Sequence, residues 1–87
     1  MAYKVIVTKK TDKQLQKLSK IDVKRIVEKI LRLSYPFPSN YDISKMAEAH
    51  DYFRLRVGTI RTIFEIDHDR KEIWIRKIKY RGQVYKK

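Results

Sequence analysis

Two parts of the chain alternate apolar and polar residues, and the part between them repeats its apolar residues at helical spacing. Alternation of this kind predicts a strand with one buried face. It predicts four strands here, over residues 2–8, 52–57, 60–67 and 72–79. In the last strand the apolar spacing slips at Arg76-Lys77, which indicates a β-bulge or a strong local twist.

The helical part of the chain divides into two helices. Thr11 and Gln14 have the capping-box spacing, so the first helix is expected to run from residue 9 or 11 to about 19. Asp22 is the expected cap of a longer helix, which ends before Pro36. Its buried face consists of residues at positions i, i+3, i+4, i+7 and i+8, namely Val23, Ile26, Val27, Ile30 and Leu31.

These elements predict an α+β fold in one domain, residues 1–87. Its order is an N-terminal strand, an antiparallel helical hairpin and a three-stranded antiparallel meander. Two helices can cover one face of such a small twisted sheet and leave the other face open. Residues 35–51 are expected to be a connecting loop, with Ile43 and Met46 contacting the core.

Three arginines interrupt the central strands, in the stretch "FRLRVGTIRTIF". Alternation puts Arg54 and Arg56 on the face opposite Leu55, and Arg61 lies just across the predicted turn at Gly58-Thr59. On the open face, three neighbouring guanidinium groups would form an anion site. The residues alone also allow a plain solvated, charged face.

Composition excludes several kinds of site. The chain has no cysteine, which rules out disulfides, thiol catalysis and cysteine-based zinc sites. His50 and His68 lie far apart in polar segments, so they are expected to be turn residues and not metal ligands. The apolar run near the N-terminus is too short for a signal peptide or a membrane span, which favours a cytoplasmic protein without membrane contact.

The charge of the chain points to a polyanionic partner. The formal net charge is +12, distributed as +7 over residues 1–35, −2 over 36–51 and +7 over 52–87. The positive charge therefore lies within the helices and strands and not in a tail. A positive charge of this size on a folded domain favours binding of polyanions, and nucleic acid is the commonest polyanion in the cytosol.

Nearly the whole chain resembles the RelE/ParE superfamily of toxins from bacterial and archaeal toxin–antitoxin pairs, most clearly over residues 52–85 and also in the early stretch "AYKVIVTKKTDKQLQKL". "YFRLRVGTIRTIFEID" is similar to the R-x-R-V-G-x-x-R hairpin of that family. "IWIRKIKYRGQVY" is similar to its terminal basic residue followed closely by V-Y. The resemblance implies a RelE-like fold and the toxin of a type II pair, an endoribonuclease that cuts mRNA in the ribosomal A site without a metal ion or other cofactor.

The resemblance also implies a catalytic set of cationic and phenolic residues: Arg54, Arg56, Arg61, Lys79, Arg81 and Tyr85. Arginine grips phosphate bidentately but carries protons poorly, so the three central arginines are assigned to phosphate binding and transition-state charge. Either Lys79 or Arg81 matches the basic residue near the end, with Lys79 as a candidate acid. Tyr85 is the candidate base, because neighbouring cations can lower the pKa of a tyrosine.

Several departures and alternatives stay open. Tyr80 stands where some relatives carry a histidine, and Glu65 is assigned to a salt bridge and not to the base found in others. Trp74 is assigned to the core or to an antitoxin contact, and Tyr85 could simply pack the C-terminus. A ParE-like inhibitor of a DNA topoisomerase such as gyrase is one alternative function. A catalytically weak remnant that binds RNA or an antitoxin is the other.

The resemblance implies partners as well. A toxin requires an antitoxin, encoded beside it, and a +12 toxin favours an acidic one. One expected form of the toxin–antitoxin complex is a heterotetramer. The other expected partners are the ribosome and mRNA.

Overall fold

The computed structural model of the protein describes residues 3–47 and 50–80. In chain order the elements are β1 (Lys4–Val7), α1 (Lys9–Leu15), α2 (Lys20–Leu31), β2 (Asp42–Lys45), β3 (Tyr52–Val57), β4 (Ile60–Asp67) and β5 (Glu72–Tyr80). The strands form a five-stranded sheet in the order β1-β5-β4-β3-β2. β1 is parallel to β5, and the other neighbours are antiparallel. The predicted α+β class and the three strands of the meander are confirmed.

One face of the sheet carries the hydrophobic core. Alternate residues of β4 are at most 2% exposed, namely Ile60, Thr62, Phe64 and Ile66. The helical segments contribute Leu18, Ile26, Ile30 and Leu33 to the same cluster. Because the helices pack on this face alone, the remaining residues of β3, β4 and β5 lie on an uncovered face. Within the part of the chain that is described, no helix is long and apolar enough to cross a membrane.

The caps of both helices lie three residues before the predicted ones, although the start of α1 at Lys9 agrees with the earlier of the two predicted starts. Thr8 caps α1, while Thr11 is the third helical residue, and its Oγ1 accepts a hydrogen bond from the Thr8 amide at 3.0 Å. Ser19 caps α2, and its Oγ accepts from the amide of Asp22 at 3.3 Å. Thr11 and Asp22 were wrong as caps because each is the distal member of a cap pair, three residues after the true cap. α1 also ends earlier than predicted, at Leu15.

The last turn of α2 buries a different leucine from the one predicted. Leu31 is 73% exposed, whereas Leu33 is 2% exposed. The chain leaves the helical conformation at Arg32, where φ is −100°. This change of direction turns Leu33 onto the core and leaves Leu31 at the solvent side of the helix.

The segment predicted to be a loop contains β2, which pairs antiparallel with β3. Three of its four residues, DISK, are polar, so the pattern carries no signal for a strand. The strand forms because β3 would otherwise present a free edge of backbone hydrogen-bonding groups. Ile43 packs against the core from this strand, as predicted.

The predicted bulge is confirmed and lies in β5. Ile63 is paired with Lys77, whereas the next residue of β4, Phe64, is paired with Ile75. Arg76 is therefore the extra, unpaired residue. As a result, Arg76 and Lys77 both lie on the uncovered face of the sheet.

Two buried threonines are expected to respond oppositely to replacement by valine. Both are fully buried, but the Oγ1 of Thr62 has no hydrogen-bond partner among the described residues, whereas that of Thr11 belongs to the cap of α1. Thr62→Val should raise the free energy of unfolding by about 1 kcal/mol, since it removes an unsatisfied buried hydroxyl. Thr11→Val should lower it by about 1 kcal/mol. Urea denaturation measures both, and a destabilised Thr62→Val variant would contradict the first expectation.

Candidate anion-binding site

A two-residue turn sets the register between β3 and β4. Gly58 has a φ of 58°, a conformation that glycine adopts without strain. Glycine at the first central position is also what type II′ hairpin turns require. Val57 pairs with Ile60 across this turn, so the next pair is Arg56 opposite Arg61. Both arginines lie on the uncovered face, because Ile60 is in the core and side chains alternate.

Besides Arg76 and Lys77, four cationic side chains of β3, β4 and β5 lie on the uncovered face. Arg61 on β4 lies between Arg56 on β3 and Lys79 on β5, and Arg54 is two residues from Arg56 on the same strand. We call these four residues the cationic face. Directly opposed residues of a sheet have Cβ atoms about 4.5–5.5 Å apart. An anion above β4 can therefore be reached from three strands at once.

The cationic face lacks neutralising partners. None of its members forms an ion pair with a carboxylate in residues 3–47 and 50–80. The Nε–H groups of Arg54 and Arg61 are buried, and each lacks an acceptor within the same residues. A buried donor without an acceptor costs about 1–3 kcal/mol. Phosphate oxygens would supply these acceptors, in the geometry that guanidinium groups bind best.

Asp42 is a candidate functional residue that the sequence reasoning missed. It lies on β2 directly opposite Arg56, at the margin of the cationic face, and its side chain is exposed. The segment was assigned to a loop, so alternation could not assign Asp42 to a face. A carboxylate beside a cationic site can accept a proton from a bound hydroxyl group.

Glu65 forms the salt bridge that was predicted for it. Its Oε1 accepts from Nη2 and Nε of Arg76 at 2.8 and 3.1 Å. The guanidinium carbon of Arg76 also lies 4.9 Å from the ring centroid of Trp74. Trp74 is paired with Glu65 and is on the uncovered face, so the core part of its assignment was wrong, whereas the antitoxin contact stays a prediction. Ile73 and Ile75 on either side of it are fully buried, so simple alternation puts Trp74 on the opposite face.

The hydroxyl group of Tyr80 is engaged in a structural contact. It donates to Oδ2 of Asp22 at 2.6 Å and accepts from the amide of Ser19 at 3.1 Å. The hydrogen bond from Tyr80 holds the pKa of the Asp22 carboxyl below its usual value. These contacts tie the end of β5, beside Lys79, to the start of α2. Tyr80 therefore positions a member of the cationic face.

Of the six predicted site residues, Arg81 and Tyr85 lie outside the described residues, and the other four are brought together on the cationic face.

The Nδ1 of His68 is 2.9 Å from the hydroxyl of Tyr3, and the Nδ1 of His50 is 3.0 Å from Asp51. No group of three or more His, Asp or Glu residues that could hold a metal ion occurs in the part of the chain that the structure describes.

The fold and the site together define a class: a small α+β protein with a cationic face suited to phosphate groups. Solved structures identify the family. The chain is 34% identical to a chain of an archaeal RelE–RelB complex from Pyrococcus horikoshii, covering 95% of this chain and 99% of that one, with a TM-score of 0.80. The chain belongs to the RelE family of toxins from toxin–antitoxin pairs.

Two further structures agree with this assignment. A RelB–RelE antitoxin–toxin complex from Methanococcus jannaschii matches at 26% identity and a TM-score of 0.68, over 92% of this chain and 94% of that chain. The isolated RelE toxin of Escherichia coli matches at 16% identity and a TM-score of 0.74, over 97% of this chain and 92% of that chain, and shares the fold. Neither a protein-family model nor a curated protein sequence matches the chain.

Removing the central charge of the cationic face should stabilise the fold. Like charges directly opposite one another destabilise a sheet, and Arg61 has such a neighbour on each side. Arg61→Gln should raise the free energy of unfolding by about 0.5–1 kcal/mol in low-salt buffer. Lys77→Gln is the control, because Lys77 is exposed and is paired with Ile63. Equal changes in the two variants would show that cross-strand repulsion at Arg61 is negligible.

Proposed function

We propose that this protein is the toxin of a toxin–antitoxin pair and that it cuts mRNA in the ribosomal A site. The observation that carries the proposal is the position of Arg61, between Arg56 and Lys79, with a buried Nε–H that lacks an acceptor among the described residues. Membership of the RelE family supports it. A pre-organised set of donors that lacks its acceptor is what stabilisation of a charged transition state requires.

The proposed reaction is an in-line attack of an RNA 2′-hydroxyl on the adjacent 3′ phosphate. The new bond joins the 2′ oxygen to phosphorus, and the bond from phosphorus to the 5′ oxygen of the next nucleotide breaks. One product ends in a 2′,3′-cyclic phosphate and the other begins with a 5′-hydroxyl. A base takes the proton of the 2′-hydroxyl and an acid gives one to the departing 5′ oxygen, so the reaction needs no metal ion.

The proposed roles follow from side-chain chemistry. Arg54, Arg56 and Arg61 bind the phosphate and stabilise the additional negative charge of the transition state. Lys79 is the proposed acid, since it flanks Arg61 on β5 and carries a transferable proton. Tyr85 is the proposed base, and Asp42, in register with Arg56, is the alternative base.

We further propose an acidic antitoxin that covers the cationic face. Two of the related structures are complexes with RelB. This chain carries a net charge of +12, and a partner of opposite charge would remove the repulsion between the opposed arginines. Such a partner would also occupy the positions that the RNA phosphate is proposed to take.

Primer extension on mRNA bound to ribosomes tests the nuclease. The wild-type protein should produce cuts inside A-site codons, and Arg61→Ala should reduce the cleavage rate by about 10²–10³-fold. Lys77→Ala, which removes an exposed lysine of β5 outside the cationic face, should leave the rate nearly unchanged. The absence of cuts by folded wild-type protein would contradict the proposal. A topoisomerase inhibitor or an RNA-binding remnant would then be the functions to test.

The chemistry can be tested with a modified message. A single 2′-deoxynucleotide on the 5′ side of the cut should abolish cleavage there, because the attacking hydroxyl is missing. The unmodified products should carry a 2′,3′-cyclic phosphate and a 5′-hydroxyl, which end-group labelling and mass spectrometry detect. Cleavage that persists at the deoxynucleotide would show that the attacking oxygen belongs to water.

A further inference from the structure

A second cationic site lies on the opposite side of the sheet from the cationic face. It is a pocket with a volume of about 360 Å³ between α2 and the end of β3. Three cations, one carboxylate, an aromatic ring and an aliphatic side chain form its walls: Arg25, Glu28, Lys29, Arg32, Tyr41 and Val57. We call it the α2 pocket. Its composition matches a ligand with a negative group and a less polar part.

The cations of the α2 pocket are unpaired. Arg25, Lys29 and Arg32 are spaced at i, i+4 and i+7, which puts them on one side of the helix. Glu28 is the carboxylate of the pocket, yet it is not within 4.0 Å of any of the three cations, and no other carboxylate in residues 3–47 and 50–80 pairs with them. An anion entering the pocket thus meets three cations, none of which is in an ion pair with a carboxylate of the described residues.

The wall of the α2 pocket is already formed. The hydroxyl of Tyr41 donates to the carbonyl oxygen of Lys29 at 2.7 Å, and the Nζ of Lys29 lies 4.5 Å from the centroid of the Tyr41 ring. Val57 adds an aliphatic surface that packs against the core. This part of the wall therefore needs little further ordering when a ligand binds, which favours affinity.

The α2 pocket continues the cationic face over the β3–β4 turn. The Nη1 of Arg25 lies 3.9 Å from the position that a Cβ atom on Gly58 would occupy. Val57 in the pocket follows Arg56 directly, and the two side chains lie on opposite sides of β3. The basic surface thus extends around the end of the sheet, from Arg56 and Arg61 to α2.

We propose that the α2 pocket binds a phosphodiester of an RNA strand, as a second phosphate site beside the one on the cationic face. This inference rests on the proposed nuclease function. RNA fits better than an acidic peptide because the surface is continuous over the turn and an RNA strand carries a phosphate at every nucleotide. The arginine forks bind phosphate bidentately, and Tyr41 and Val57 contact the sugar or base.

Salt-dependent binding to a short single-stranded oligouridylate tests the α2 pocket. The double variant Arg25→Gln/Arg32→Gln removes two exposed charges from the pocket, and Lys20→Gln/Lys24→Gln removes two exposed charges from the same helix outside it. Each phosphate contact contributes about 0.7 to the slope of log K against log salt concentration for single strands. The pocket variant should lower this slope by about 0.7 relative to wild type, because one phosphate site is lost. The control variant should leave it unchanged, and circular dichroism verifies that both are folded.

Ribosome binding identifies the source of the phosphate. If the strand is mRNA, the pocket variant should bind more weakly than the control only to ribosomes that carry mRNA in the A site. If it is ribosomal RNA, binding to empty ribosomes should weaken equally. Either result supports an RNA phosphodiester as the ligand of the α2 pocket.

Other results would overturn the inference. The inference is wrong if the two double variants have equal salt slopes, or if the wild-type protein does not bind oligouridylate. A defect confined to binding of an acidic peptide would assign the α2 pocket to a protein partner. Cleavage of mRNA by the wild-type protein is measured separately. If the two double variants have equal slopes while the wild-type protein still cleaves mRNA, only this inference is contradicted. A slope effect without cleavage contradicts only the proposed nuclease.

Discussion

The pairing of β4 with both of its neighbours is the constraint on which the rest of the structure depends. Alternate side chains of β4 are buried in the core, so a slip of one residue would exchange Phe64 and Ile66 for Arg61 and Glu65. Because burying those charges would cost much free energy, β4 keeps one register relative to both β3 and β5. That same register brings Arg56 and Lys79 to the two sides of Arg61. The hydrophobic core thus determines which cations become neighbours.

The cationic face opposes folding, and the core offsets its cost. Like charges face one another across two strand pairs, and two guanidinium Nε–H groups are buried without acceptors among the described residues. A sheet selected for stability alone would carry threonine or valine at these positions. Unfavourable interactions of this kind are concentrated at functional sites, where a ligand relieves them. The energetic cost is therefore consistent with a phosphate-binding role for the face.

The uncovered face is not uniformly cationic. Glu65 neutralises Arg76, and this pair lies beside Trp74 on the far side of Ile63 from the opposed cations. Towards the β3–β4 turn, none of the cations forms an ion pair with a carboxylate among the described residues. The basic surface continues there to Arg25 on α2. A polyanion that binds at this end of the sheet therefore has no ion pair to displace.

The residue pattern alone predicts the strands of the meander, the bulge at Arg76-Lys77 and the side of β3 to which Arg54 and Arg56 belong. These features depend on local alternation, which a single chain segment carries in full. The family resemblance rested on two stretches, "FRLRVGTIRTIF" with Arg54, Arg56 and Arg61 and "IWIRKIKYRGQVY" with Lys79, and so pointed to the four described members of the candidate site.

Three features become visible only in the folded protein: β2, the position of Asp42 opposite Arg56, and the parallel pairing of β1 with β5. A four-residue strand with three polar residues has no periodicity of its own, and it forms because the edge of β3 is free to pair. The α2 pocket likewise joins α2, the residue before β2 and the end of β3, which are separate segments of the chain. Contacts of that kind depend on how packed elements meet, and no local pattern of residues encodes them.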